Sequence, residues 1–471
     1  MAKEALTKIQ AVIIAVVVII AVILGAFAYT MMTPPATPTP ATPTPATPTP
    51  ATPTPATPTP ATPTPATPSI SEIRIGTVQH LSGALSPFID GFRGIVMGVN
   101  WINAHGGINF NGQKVPLKLV FYDDETNKDY AIKLYEKLIA EDKVHILIPP
   151  WTPEYILATV PVSERYKMVA IGCGGGSFTE TQQGFKYYLS YAAGALYHFT
   201  NQLKLIKQLD PAAKKVALIV SSADPSGDLG KGARAAANEY GFNIIYDKVY
   251  PEDMADATPM LREIAALNPD ILLGATFPKS CMLIASQLRD LRIYIKWVTL
   301  DMQVTKVDFA NAFGKWAVGF SQAVPSEHEV LWEKIAEREG KEYYGIRCAE
   351  LQTYWVAAGG TGRIRATAIM GAAGVSLAAK LIEGSKSFDA DRLIGYATTV
   401  DIYTCRGPYR CNPNNPAECL TDQQHAVMQW QRDGSYLVYK VVYPVEFATG
   451  IFIPMPTWEE KETWPELTLK W

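Results

Sequence analysis

The chain has 471 residues, is 48% hydrophobic and carries a formal net charge of −3. This balance leaves no basic field to attract nucleic acid. About 400 residues lie beyond the N-terminal seventy, more than one compact core holds, so two lobes of ordinary size are expected.

The first informative element is AVIIAVVVIIAVILGAFA at residues 11 to 28, which has no charge. As a helix it would extend roughly 27 Å, close to the hydrocarbon thickness of a bilayer. Lys3 and Lys8 precede it and the next Lys or Arg is Arg74, so the positive-inside rule keeps residues 1–10 cytoplasmic and puts the rest of the chain outside. The reading is a single-pass anchor over 11–30. Its rivals are a cleaved signal peptide, which has a shorter apolar core, and an archaeal pilin-like signal trimmed near Ala5, which still leaves an anchor. Six ATPTP pentads then fill residues 36–65. Alternating Thr-Pro joins neither helix nor sheet and stays in solvated polyproline II. The linker at 31–70 is therefore read as a stiff spacer reaching on the order of 100 Å, with a floppy low-complexity tail as the alternative.

Beyond the linker, short apolar runs alternate with helical patterns. IRIGTVQH (73–80), VPLKLVFYDD (115–124), VHILIPP (144–150) and MVAIG (168–172) read as strands. Between them, 88–107 places Phe88, Phe92, Ile95, Val96, Val99 and Ile102 on one helical face and stops at Gly106 and Gly107. Helices are also expected at 128–142 and 153–166. The pattern restarts with strands at 215–222, 242–250, 270–277 and 296–301, separated by helices at 230–241, 258–268 and 280–290. After a strand at 316–324, helices at 327–340, 348–358 and 366–383 return, succeeded by strands AVMQWQ and YLVYKVV. Such βα alternation implies parallel sheets covered on both faces. Two lobes of this kind would share a cleft at the carboxyl ends of their strands.

No motif supports catalysis. IGCGGGS at 171–177 does not fit G-x-G-x-x-G, and G-x-S-x-G, a metalloprotease His pair and a G-K-[ST] loop are absent from the sequence. The glycine loop offers backbone N–H groups suited to a carboxylate or other polar group. Cys405, Cys411 and Cys419 stand in TCRGPYRCNPNNPAEC. Outside the membrane they are disulfide candidates; zinc with His425 is disfavoured by the spacing, and no metal or cofactor is expected.

The stretch from Ile73 through the helix end Asn103 to Ile108 (NAHGGI) and the strand ending Asp123-Asp124, with Leu81-Ser82-Gly83 after the first strand, resembles the solute-binding proteins of branched-chain amino-acid ABC transporters. PVSERYKMVAIG, DPSGDLGKGARAAANEYG, NPDILLGATF and QHAVMQWQRDGSYLV extend the resemblance from about Ser71 to Trp458. It implies a type I periplasmic-binding fold with hinge crossings between two lobes, 71–192 plus 326–403 and 193–325 plus 404–458, and a C-terminal tail at 459–471. It also implies capture of an amino acid or related polar solute, delivered to ABC permease subunits with cytoplasmic ATPases. A surface receptor without transport is the alternative, and an enzyme on the same scaffold lacks a nucleophile.

Mapped by the same resemblance, the ligand would meet Trp151 and Thr152 after the third strand, where the family's serines are absent, then Gly175, Gly176 and Ser177. From the second lobe it would meet Phe277 and Asp301, the acid pairing a ligand ammonium. Ser82 and Asp228 stand on loops facing the cleft.

Overall fold

The computed structural model describes residues 70–192, 194–223, 226–419 and 425–470; the anchor and the Thr-Pro linker expected at the N-terminus lie outside these residues. The first sheet is built from β1 (Ile73–Gln79), β2 (Leu117–Asp123), β3 (Ile146–Ile148), β4 (Ala170–Gly172) and β5 (Tyr188–Ser190), in the order β2-β1-β3-β4-β5. Its strands are all parallel, with Ile75 opposite both Leu119 and Ile146. Ile73, Ile75, Ile146 and Ile171 are wholly buried because helices cover both faces. The helices are α1 (Ile89–Ala104), α2 (Lys128–Ala140) and α3 (Pro153–Arg165). Asn127 caps α2 by accepting from the Tyr130 N–H, and Pro153 opens α3 where its missing donor costs nothing.

The second sheet holds β6 (Lys215–Ser221), β7 (Asn243–Tyr250), β8 (Ile271–Ala275), β9 (Trp297–Leu300), β10 (Phe320–Val324), β11 (Ala426–Asp433), β12 (Tyr436–Tyr443) and β13 (Thr468–Lys470). Its order is β13-β12-β11-β10-β9-β8-β6-β7. The core strands are parallel, while β11 runs antiparallel to both β10 and β12. Helices α4 (Thr200–Leu209), α5 (Ser226–Tyr240), α6 (Thr258–Leu267) and α7 (Pro278–Asp290) belong to this half. The parallel α/β architecture read from the sequence is present in both sheets.

The chain passes between the sheets after β5, leaves the second sheet after β10 to reach the helix α8 (Ala366–Ser385), and returns to β11 after a small sheet of Glu342–Tyr343, Ile402–Thr404 and Gly407–Tyr409. Residues Pro68–Trp471 form a single unit. At the second passage Glu327 is buried beside Arg363 at 2.7 Å and His328 at 2.6 Å. Burial resists its ionisation, but His328 and Arg363 outweigh that and hold its carboxyl at about 2.

Helix α8 is long and apolar enough to cross a membrane by composition, yet 78% of that window is buried inside the protein. It lies on α1 through glycines. A Cβ on Gly94 would fall 2.0 Å from the Ala368 carbonyl oxygen, and one on Gly371 would fall 2.3 Å from that of Gly91. The two backbones therefore approach closer than any side chain permits. Gly94→Ala and Gly371→Val are expected to destabilise the protein by about 1–3 kcal/mol or more through overpacking, read as a lower denaturant midpoint at unchanged slope.

The segment 459–471, expected as a tail, is tied in instead: Trp458–Glu462 is helical and β13 pairs with β12. Lys461 is fully buried there, donating to the Trp316 carbonyl at 3.1 Å, with its ammonium 4.5 Å from the Trp458 ring centre. Burial pulls its pKa down to about 7. The unfolded chain holds this proton up to about 10.4, so unfolding takes up a proton between those values and stability rises with pH across that window. Comparison of wild type with Lys461→Met by denaturation from pH 7 to 10 should show that rising contribution lost in the variant.

Candidate functional site

The loops leaving β3 and β4 are shaped by the same glycines. Trp151 is 5% exposed and wedged against the backbone of Gly91 and Gly174, since a Cβ at either position would enter its ring. Thr152 precedes α3 with its Oγ1 buried and without a hydrogen-bond partner. Gly175 and Gly176 have φ of +77° and +88°, the left-handed region that glycine occupies without strain. They turn the chain so that Ser177 caps the short helix Phe178–Thr181, its Oγ accepting from the Thr179 N–H at 3.2 Å.

This loop does hold a carboxylate, one supplied by the protein itself. Asp228, in the first turn of α5, accepts from the Ser177 hydroxyl and the Phe178 N–H, both at 2.9 Å, and from Lys231 at 2.8 Å. Burial opposes ionisation of Asp228, but Lys231, the Phe178 amide and Ser177 together keep its carboxyl below the usual range. Ser177 comes after the first sheet's β4 and Asp228 after β6, so the bond joins the two halves.

Asp301 closes β9 and is 1% exposed. Its Oδ2 lies 2.6 Å from His198 Nδ1, its Oδ1 accepts from the Met302 N–H at 2.7 Å, and its carbonyl accepts from the Thr276 hydroxyl at 2.6 Å. The carboxylate proposed for a ligand ammonium thus has both oxygens engaged within the protein. Phe277, next to Thr276, is half-buried at the start of α7. Ser82 is exposed in the loop after β1, its N–H 3.2 Å from Asp123 and its carbonyl bonded by Thr126, the arrangement of a turn residue.

Three residues at the seam, His198, Gln202 and Arg406, escaped the sequence reading, and His425 entered it only as a disfavoured zinc ligand. His198 lies with its ring centre 4.4 Å from that of His425. His425 is 1% exposed, its carbonyl is bonded by Asn201 at 2.8 Å, and neither ring nitrogen has a hydrogen-bond partner. Burial, then the neighbouring His198 and Arg406, hold its pKa well below the ordinary histidine value. Gln202 is fully buried one turn after His198, and its amide likewise has no partner. Arg406, in the turn between Ile402–Thr404 and Gly407–Tyr409, is wholly buried with its guanidinium 4.7 Å from the Tyr191 ring centre. The signal for His198 and Gln202 was available: two polar residues four apart beside Phe199, Leu203 and Ile206.

A hollow of about 230 Å³ is lined by Leu196, Tyr197, Thr200, Gly232, Ala235, Ala236 and Glu239, and Asp301 is not part of its lining. Among the described residues no cluster of three or more His, Cys, Asp or Glu is placed to hold a metal ion. Of the three cysteines in TCRGPYRCNPNNPAEC, Cys411 and Cys419 stand with Sγ atoms 2.9 Å apart, flanked by the Asn412 N–H to Glu418 carbonyl bond. Cys405 is turned into the core toward the Ile369 carbonyl, and burial pushes its thiol up to about 12. Air-oxidised protein digested without reduction should yield a Cys411–Cys419 linked peptide, with Cys405 alkylated only after unfolding; a Cys405 crosslink would contradict this geometry.

Residues 72–435 match the family model described as periplasmic binding protein. The match spans more than half of the chain, which belongs to this family of solute-binding proteins, a non-enzymatic family. Among solved structures, a branched-chain amino acid ABC transporter protein from Silicibacter pomeroyi, described as putative, is similar at 18% identity and TM-score 0.67, over 82% of this chain and all of that one. A branched-chain amino acid transporter substrate-binding protein from Streptococcus pneumoniae, in complex with isoleucine, is similar at 18% identity and TM-score 0.60, over 79% of this chain and 100% of that one. An ABC transporter solute-binding protein from Rhodopseudomonas palustris, in complex with 3,4-dihydroxybenzoic acid, gives 18% identity and TM-score 0.60, over 79% and 96%. At these identities the likeness is one of fold.

Proposed function

We propose that this chain is the extracytoplasmic solute-binding subunit of an ABC importer, taking a small polar solute between its two halves and presenting it to a permease. Membership of the periplasmic binding protein family across residues 72–435 carries the reading. The seam supports it: loops from the carboxyl ends of β4, β6 and β9 converge there, where ligands of parallel α/β folds bind. In this reading 71–192 plus 326–403 form one lobe and 193–325 plus 404–458 the other. Solute binding shifts the population toward the closed arrangement by its differential affinity for it. The relatives that bind isoleucine and 3,4-dihydroxybenzoic acid bracket the solute classes to test. The apolar run at 11–30 anchors the protein in the cell membrane and the Thr-Pro segment spaces it outward, both on the strength of sequence.

A thermal-shift screen over amino acids, aromatic acids, amides, polyamines and sugars tests the proposal, because a solute that binds only the folded state raises its melting temperature by mass action. At least one solute class is expected to give a dose-dependent rise. Absence of any shift across all classes at millimolar concentration would sink the proposal.

A further inference from the structure

We infer that Cys411 and Cys419 are a redox site that sets the length of the last passage between the two halves: oxidation closes residues 411–419 into a short strap on the first sheet, and reduction lets the strap lengthen. The inference goes beyond solute binding and does not depend on which solute is bound. The strap follows the small sheet that ends at Tyr409 and precedes β11 of the second sheet, which starts at Ala426. Between these points it is seated on the first sheet. The Ser190 N–H of β5 donates to the Ala417 carbonyl at 3.2 Å, and Ser190 pairs with Glu418 in a parallel bridge, so the strap adds a short edge to that sheet. Asn415 donates to the Thr181 carbonyl at 3.0 Å, and Ala417 is wholly buried in the core that holds Leu147 and Tyr188. One piece of chain thus grips the first half while its far end runs on into the second.

The two thiols stand at the neck of the strap. The Asn412 N–H donates to the Glu418 carbonyl at 3.0 Å and the Glu418 N–H to the Asn415 carbonyl at 2.8 Å, which draws the ends together. Both Sγ atoms face one acceptor, the Pro416 carbonyl, at 3.1 and 3.2 Å. A thiol is a weak donor, so the reduced neck is held by little. Pulled straight, residues 411–419 reach roughly 27 Å. A disulfide instead fixes the two Cα atoms about 4.4–6.8 Å apart. Oxidation therefore removes roughly 20 Å of slack from the passage, and with it the freedom of the strap to peel from β5 when the halves separate.

The geometry also orders the chemistry. Cys411 is partly exposed and Cys419 is wholly buried. Hydrogen bonding from Cys419 draws the Cys411 thiol below its ordinary value against the effect of burial. Burial pushes the thiols of Cys173, Cys281 and Cys405 up to about 12 and raises that of Cys348 as well. Since the thiolate is the nucleophile, Cys411 reacts first and the other four are spared. The oxidant is a low-molecular-weight disulfide, RSSR. The Cys411 thiolate, its proton lost to solvent, bonds to one sulfur of RSSR and expels RS⁻, which takes up a proton. The Cys419 thiol then gives up its proton and attacks the Cys411 sulfur, expelling the second RS⁻. Two electrons pass from the pair to RSSR, which ends as two RSH, and excess small thiol reverses both steps.

The test uses the purified full-length chain without solute, treated with oxidised glutathione or with dithiothreitol, and reads it by peptide mapping and amide hydrogen exchange. Wild type is expected to form the Cys411–Cys419 crosslink and keep no glutathione. Cys419→Ser should trap glutathione on Cys411, whereas folded Cys411→Ser should take up none. The exchange comparison needs no variant. The Ser190 and Glu418 amides report the strap, and the Phe178 amide, which donates to Asp228 across the seam, reports separation of the halves. All three are expected to exchange about tenfold or more faster in the reduced protein. The Leu147 amide, bonded to the Val169 carbonyl inside the first sheet, should exchange alike in both states. A lasting adduct on wild-type Cys411, glutathione on Cys411→Ser, a crosslink through Cys405, or equal exchange at the three amides overturns the inference. Equal acceleration at Leu147 overturns it too, since that marks a general loss of stability. Each of these outcomes leaves the solute-binding reading standing, because that reading is decided by the solute screen.

Discussion

The first half of this protein depends on one steric constraint, the contact of α1 with α8 across glycine. With Gly94 and Gly98 on one helix and Gly371 on the other, the backbones approach within distances that a single methyl would forbid. The consequence reaches the seam directly. Gly91 also receives the Trp151 ring, Gly374 receives the Cys173 sulfur, and Gly174 lies on the Trp151 carbonyl. The loops after β3 and β4 therefore pack against the two helices that cross here, in addition to the local turn made by Gly175 and Gly176.

On that base the seam is organised by buried carboxylates that the protein satisfies itself. Asp228 draws the Ser177 hydroxyl and the Phe178 amide across from the other half, and Asp301 orients His198. Charge-assisted bonds of this sort are short and directional, so they fix which faces meet. Removing one partner would leave an uncompensated charge in a dry place. The remaining polar groups, His425 and Gln202 above all, are those the protein leaves unsatisfied.

The βα alternation was legible because parallel strands covered on both faces are continuous apolar runs, and helices such as 88–107 show the 3.6-residue period with a glycine stop. What escaped was short or non-local. Tyr188–Ser190 and Thr468–Lys470 are three-residue strands without a period to detect. The helix expected from 327 begins at Trp332, because Glu327 is spent on His328 and Arg363 in an irregular passage. At the site, Ser177, Asp228 and Asp301 were singled out in the sequence, but neither the pairing of Ser177 with Asp228 nor His198 as the partner of Asp301 was. Asp228 stands about fifty positions from Ser177, and Asp301 about a hundred from His198; no local pattern encodes such pairs. Arg406 sat in a segment read for its cysteines.

Helix α8 carries a consequence for how the protein is made. Its docking face on α1 is complete by residue 104, yet the helix that covers it begins at residue 366. While the ribosome adds the intervening stretch, the second sheet acquires most of its strands, whereas the first keeps a strip of bare glycine backbone with nothing to shield it. Order in synthesis and order in assembly are thus reversed: the earliest sheet is the one that waits. Closure of so long a loop places this contact among the slow, non-local events of folding.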